Sequence, residues 1–450
     1  MQYNGKIEID LLISGGIVLQ MNGDKPIIDG GVAIKDDKIL SVGKETDLSL
    51  KFKAKKILNM SDHIIMPGLI NTHTHAAMSL FKGLADDLPL MEWLNNYIFP
   101  AEASLMSPDF VYTGTLLTGL SMIRSGTTTL ADGYFFEDAA AKAISELGIR
   151  GIMAQGILDF PNPQYENPKE GLKKVLDFIQ KWKGSEIIRP ALLCHSTYTC
   201  SPDTLMQAFQ LSRDTGTLYM IHLSETRDEV EQIRQRYGTT PVRHLDKLGA
   251  MGPHMLAVHC VWLDDEEIQI IAKHDVKVAH CAESNMKLAA GIAPVPSLLK
   301  AGVTVGLGTD GCASNNNQDM FQEMDVAAKL HKVALFDPTV MDAYTVLKMA
   351  TIEAAKALGL QDKIGSLEAG KKADVICLDL NQPHLVPLYN ISSQIVYAAS
   401  GLDVDTVIID GQILLQNRCF TQCDPQEIIN KSKTWGETIS KKISKTLYSI

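Results

Sequence analysis

Two textures alternate along the 450-residue chain. From about residue 9 to 66, short alternating runs (DLLISGGIVLQ, GGVAIKDDKILSVG, AKKILNM) are broken by Gly, Asp and Asn, which predicts short strands joined by turns. The same texture returns near the far end, in ADVICLDL and DTVIIDGQILLQN. Between them, apolar runs alternate with stretches of helical periodicity. Eight runs read as buried strands: IIMPGLINTHTH, TTTLADGYF, RGIMAQGIL, IIRPALLCHS, LYMIHLSE, MLAVHCVWL, VKVAHCAE and VTVGLGTDG. Helical patterns lie between them, among them DFVYTGTLLTGLSMIRSG, EDAAAKAISELG, PKEGLKKVLDFIQKWKG and TRDEVEQIRQRYG. Many close on Gly, a common residue just past a helix end. Eight strand–helix units in series predict an α/β fold, a TIM-like (β/α)₈ barrel. A doubly wound open sheet is the rival that strand counting leaves standing. Both chain ends are expected to pair into a small β-sandwich module. The expected organisation is therefore 1–66 and 372–424 for the module, 67–371 for the barrel, and 425–450 for an exposed amphipathic helix.

Composition narrows the class. Apolar residues make up 45% and charged residues 21%, an ordinary globular balance. The net charge of −11 comes without a basic footprint, which argues against a nucleic-acid partner. The eight cysteines form no C-x-x-C pair and read as reduced thiols of a cytoplasmic protein. The opening MQYNGKIEID has neither the basic nor the apolar region of a secretory signal. No apolar run reaches the length of a membrane span, so no membrane partner is expected.

Candidate chemistry gathers at the C-terminal ends of the predicted strands, the face where barrels of this kind place their active sites. His73 and His75 close the first strand, His195 the fourth, His222 the fifth, His259 the sixth and Asp310 the eighth. One histidine at a strand end is usually a satisfied structural residue; the same choice at strand end after strand end is not explained that way. His73 and His75 lie two apart, so both side chains leave one face of the strand. With His222 and Asp310 they make three nitrogens and one oxygen, a set that suits Zn²⁺ and leaves Fe²⁺ open. Such an ion lowers the pKa of a bound water to about 7 and so yields a hydroxide nucleophile. Glu225, three residues after His222, is placed to act as general acid and base, and His259 to hydrogen-bond the water or the developing oxyanion. His280 reads as structural. Gly306–Gly311 matches G-x-G-x-x-G, but it sits at the last strand and puts Asp310 where a pyrophosphate would be repelled, so it is discounted. H-E-x-x-H, the P-loop, G-x-S-x-G and the cytidine-deaminase zinc signature are absent. No lysine ends the fourth strand, which disfavours a two-metal site bridged by a modified lysine.

The segments PGLINTHTHAAMSLFKGLADDLPLMEWL, HLSET, VHC, HCAESNMKLAAG, GLGTDGCASNNNQDMFQEMD and GSLEAGKKADVICLDL resemble the amidohydrolase superfamily. Within it they resemble the 5′-methylthioadenosine/S-adenosylhomocysteine deaminases, with triazine and guanine hydrolases nearby. The resemblance spans nearly the whole chain. It implies metal ligands at His73, His75, His222 and Asp310, a proton shuttle at Glu225, and His259 beside the water. It further implies that Glu102 binds the ribose hydroxyls and that His195 contacts the nucleoside. The implied partner is a small purine nucleoside and the implied assembly a homo-oligomer. The implied reaction is hydrolytic deamination of the adenine ring by a metal-activated hydroxide; the alternative is a sister enzyme acting on a guanine, pterin or triazine ring. Two departures stand out. Gln155 ends the third strand where such proteins often carry arginine, and no arginine occurs from Gly151 to Ile188. Ala282 stands where proline is usual.

Overall fold

A computed structural model describes residues 5–447. Residues 1–4 and 448–450, the outermost parts of the expected module and C-terminal helix, lie outside the described residues. Eight strands form one parallel sheet in strict chain order: β6 (Leu69–Thr74), β7 (Thr127–Tyr134), β8 (Arg150–Ile157), β9 (Ile188–Ser196), β10 (Tyr219–Leu223), β11 (Met255–His259), β12 (Lys277–His280) and β13 (Val305–Leu307). They are preceded by β1 (Ile7–Val18), β2 (Ile27–Lys35), β3 (Lys38–Lys44), β4 (Phe52–Asn59) and β5 (His63–Pro67), and followed by β14 (Val375–Asp379), β15 (Val404–Ile409), β16 (Gln412–Gln416) and β17 (Cys419–Phe420). These nine make a second, mixed sheet.

The parallel sheet curls until its first and last strands meet. Thr72 Oγ1 donates to Leu307 O at 2.8 Å, Asp310 N donates to His73 O at 3.0 Å, and Asn71 Nδ2 donates to Thr309 Oγ1 at 2.7 Å. The nearly closed (β/α)₈ barrel holds, and the open-sheet rival falls on these contacts. Every residue of β7 and β8 is buried, as expected of parallel strands packed on both faces. Helix starts carry the expected caps: the side chains of Ser107, Asn167, Ser201, Thr226 and Asp264 each accept from the backbone three residues on.

The discounted glycine motif has a packing role. A Cβ on Gly308 would stand 2.8 Å from His73 N, and one on Gly306 would stand 2.5 Å from Thr72 Cγ2. Only bare backbone lets the last strand approach the first at the level of His73. Gly308→Ala is therefore expected to destabilise the barrel by roughly 1–3 kcal/mol through overpacking. Denaturant melts would show it; an unchanged midpoint would contradict the packing role.

The mixed sheet runs β17-β16-β15-β14-β5-β1-β2-β3, with β4 also paired to β1. Its seam is the antiparallel pairing of β5 with β14, Ile65 opposite Cys377. Arg150, at the start of β8, ties this sheet to the barrel: Nε and Nη2 reach Asp374 at 3.0 and 3.1 Å, and Nη2 reaches Asp410 at 2.6 Å.

Two expectations need correction. The run IIMPGLINTHTH is not one strand. It breaks after Pro67 into β5 of the mixed sheet and β6 of the barrel. At Gly68 a Cβ would overlap the Thr128 side chain at 2.1 Å, so the chain crosses between sheets at a point with no room for a side chain. The C-terminal helix Pro425–Leu447 is not simply exposed. Trp435 meets Phe110 edge-on at 5.3 Å, Lys431 pairs with Asp109 at 2.7 Å, and Ile428 and Ile439 are buried. Its apolar stripe docks on the helix Pro108–Arg124. Among the described residues, no helix is long and apolar enough to cross a membrane.

Candidate active site

The strand ends bring the predicted polar residues to one floor. His73 lies in β6 and His75 one residue beyond it; His222 is next to last in β10, His259 ends β11, and Asp310 follows β13. His73 Nε2 stands 3.2 Å from His222 Nε2 and 3.4 Å from Asp310 Oδ1. His75 Nε2 is also 3.4 Å from Asp310 Oδ1. A ligating nitrogen of His259 falls within 4.8 Å of those of His73 and His222.

Hydrogen bonds settle which nitrogens are free. His75 Nδ1 is 2.6 Å from Gly133 O, and His222 Nδ1 is 2.7 Å from His195 O. A carbonyl only accepts, so both Nδ1 atoms carry the proton and both Nε2 lone pairs face inward. Burial holds the His73 imidazole near 4 and the His222 imidazole well below its ordinary range, so both are neutral at pH 7. Burial penalises the Asp310 carboxylate, yet the hydrogen bond from His73 and the adjacent imidazoles keep it well below the usual range. Ser284 and Ser314 donate to Asp310 Oδ2 at 2.6 and 2.8 Å and fix its rotamer. Three imidazole Nε2 atoms and a carboxylate oxygen thus meet at one buried point, nitrogen and oxygen donors that a cation would bind in place of the contacts they make with one another. The donor set fits a metal ion, and its neighbours orient it as such sites require.

Two floor residues adopt backbone conformations that L-residues avoid: His259 at φ 72° and Asp310 at φ 61°. Such conformations cost of order ~1 kcal/mol or more each. They persist because Asp310 N is held by His73 O, and Cys260 N, just past His259, by Leu223 O.

Around the cluster stand groups able to move or hold protons. Glu225 Oε1 lies 3.8 Å from His259 Nε2. Burial raises the Glu225 pKa, with His259 opposing. Glu229 accepts from Glu225 N at 2.8 Å and from Thr197 Oγ1 at 3.0 Å, anchoring the turn that carries Glu225. His259 Nδ1 faces Asn285 Oδ1 at 3.0 Å, which calls for a proton on Nδ1 and leaves Nε2 an acceptor. His195 Nδ1 is 3.0 Å from Thr199 Oγ1, and burial lowers its pKa to about 4.

Above the floor opens a cleft of about 720 Å³, lined by His75, Glu102, His195, His222, Glu225, His259 and Asp310 among others. Glu102 is buried and accepts from the Tyr134 hydroxyl; burial raises its pKa to about 7, with Tyr134 opposing. It sits on a helical ramp: Leu90–Trp93 and Phe99–Leu105 are α-helical, joined by a π-helical stretch over Leu94–Ile98. Pro100, the second residue of the last piece, lacks the N–H that would carry the preceding run of helical hydrogen bonds across the join. His280 stands apart from the metal floor, its Nε2 3.2 Å from that of His331.

Sequence reasoning missed Tyr134, Asn285, Glu229, Ser284 and Ser314. Each is a lone polar residue with no spacing to mark it; only its contact with a strand-end residue gives it meaning.

A barrel with a buried imidazole–carboxylate cluster at its C-terminal face defines a metal-dependent hydrolase. The chain belongs to the Amidohydrolase family, whose profile matches residues 64–414. It is 47% identical over 436 residues to 5-methylthioadenosine/S-adenosylhomocysteine deaminase of Syntrophobacter fumaroxidans, covering 97% of this chain and 99% of that one. It is 43% identical to 5′-deoxyadenosine deaminase of Methanosarcina mazei, covering 97% and 99%. The crystal structure of an adenosine deaminase from Xanthomonas campestris with bound zinc superposes with a TM-score of 0.96 at 36% identity, covering 97% of this chain and 100% of that one.

Proposed function

We propose that this chain hydrolyses the amino group from the adenine ring of a nucleoside such as 5′-methylthioadenosine, S-adenosylhomocysteine or adenosine, with one Zn²⁺ held by His73, His75, His222 and Asp310. The observation that carries the reading is the convergence of three imidazole Nε2 atoms and the Asp310 carboxylate beside Glu225, whose pKa burial raises. The bound ion supplies Lewis-acid activation of the water nucleophile. His259 Nε2 accepts a hydrogen bond from that water and aligns it. Glu225 takes the proton the water loses as the C6–O bond forms and delivers it to N1. Asp310 and Glu225 then take the proton of the new C6 hydroxyl and pass it to the amino group, the C6–N bond breaks, and ammonia leaves an inosine-type product. Glu102 accepts hydrogen bonds from both ribose hydroxyls, its four lone-pair sites leaving room for Tyr134 as well. His195 packs against the nucleoside.

The first test is ammonia release by the zinc-loaded protein from adenosine, 5′-methylthioadenosine, S-adenosylhomocysteine and guanine in parallel. Turnover of adenine nucleosides supports the reading. Activity on guanine alone, or on none of the four, would overturn it in favour of a sister ring hydrolase.

Glu102 also predicts a pH dependence. Below about pH 7 its carboxyl is protonated, and above it ionised. KM for a ribonucleoside is therefore expected to fall as pH rises through 7. Glu102→Gln should raise KM tenfold or more, roughly 1.4 kcal/mol, and flatten that profile. A profile identical in parent and variant would remove Glu102 from the ribose site.

A further inference from the structure

We infer that the site selects nucleosides whose 5′ substituent is small and uncharged, and discriminates against an amino-acid tail; this rests on the adenine-nucleoside reading above. With the base amine at the metal floor and the ribose at Glu102, the 5′ carbon faces the remaining wall of the cleft. That wall is apolar: Phe99, Phe135, Leu158, Phe160, Pro161 and Pro163. Among the described residues, no lysine or arginine lines the cleft, whereas Glu102, Glu225 and Asp310 do. A substituent ending in a carboxylate and an ammonium would lose water against aromatic rings, and its carboxylate would find no cationic side chain. A methyl or methylthio group would instead bury apolar surface there.

The wall is built rather than loose. Gln155, at the end of β8, is buried, and its amide is spent on Gln164: Gln155 Nε2 donates to Gln164 Oε1 at 2.9 Å, and Gln164 Nε2 donates back to Gln155 Oε1 at 3.2 Å. Gln164 Oε1 also accepts from Phe136 N at 2.9 Å. Asn162 Oδ1 accepts from Gln164 N and Tyr165 N at 3.0 and 3.2 Å, and the Tyr165 hydroxyl accepts from Leu158 N at 2.9 Å. This network pins the loop that carries Leu158, Phe160, Pro161 and Pro163 over the cleft. Gln155 is thus a positioning residue for the apolar wall, and its own amide is not left to meet a charged tail. Phe160, 53% exposed, stands at the rim.

The experiment compares 5′-deoxyadenosine, 5′-methylthioadenosine and S-adenosylhomocysteine in two ways: kcat/KM with the zinc-loaded enzyme, and calorimetric Kd with its Glu225→Gln variant. The uncharged nucleosides are expected to exceed S-adenosylhomocysteine at least tenfold in both, through KM rather than kcat. Phe160→Arg should narrow that ratio severalfold by adding a cation at the rim. Gln155→Leu should raise KM for 5′-methylthioadenosine while leaving kcat in place. Equal constants for the charged and uncharged tails, or no binding of any of the three, would overturn the inference. Tail-selective binding without ammonia release would uphold it and overturn the deaminase reading instead.

Discussion

Glu225→Gln is expected to lower kcat by roughly 10²–10⁴-fold, the usual worth of general acid–base help, while metal content stays that of the parent. Glutamine matches the shape of Glu225 but cannot carry a proton. The side chain faces His259 at 3.8 Å, and its backbone is fixed by Glu229, so the variant keeps its place in the cleft. Burial already raises the Glu225 pKa, which favours proton uptake by the carboxylate. Steady-state kinetics paired with metal analysis separate the outcomes. Loss of turnover with full metal supports proton transfer through Glu225. Parental turnover with full metal would move that task to another group of the site, Asp310 or His259.

Removing the metal should have the other large effect. Chelation is expected to take ammonia release to background, and added Zn²⁺ to restore it. Stability should fall as well, because only the folded chain gathers these ligands, with two Nε2 atoms 3.2 Å apart and a carboxylate oxygen 3.4 Å from two of the imidazoles, so a bound ion favours the folded state. An ion present at 1,000 times its Kd stabilises the chain by about 4 kcal/mol. Thermal melts before and after chelation would reveal a gap of several degrees. Activity and melting both indifferent to a chelator shown to strip the metal would refute the assigned ligand set. Supplying Zn²⁺ and Fe²⁺ separately to the stripped protein and ranking the recovered rates would identify the working ion.

The barrel was legible in the sequence because its strands are buried on both faces and its helices carry their own start signals, as at Ser201 and Asp264. His73, His75, His222, His259 and Asp310 could be read as a group because barrel topology turns strand ends into neighbours. Glu102 could not. It lies on a ramp interrupted by a π-helical stretch and a proline, and local pattern gives no hint that the ramp folds over the barrel mouth. Gln155 shows a further limit. Its identity was visible, but its amide partner Gln164 was not, since a reciprocal pair forms only once the loop has closed. The break in IIMPGLINTHTH was hidden because both halves are equally apolar; what separates them is the steric conflict with Thr128 at Gly68. The docked C-terminal helix was hidden because its apolar stripe matches a barrel helix distant in sequence.

The seam between β5 and β14 bears on how the protein is made. Ile64 and Leu378 pair across it, yet the ribosome delivers them far apart in time. While the barrel is being synthesised, β1 to β5 wait with the flank of β5 that will receive β14 still open. An open strand edge is a template for any other extended chain, including a second nascent copy. Chains that stop before residue 375 never cover that edge, so truncated products should aggregate rather than persist as smaller enzymes.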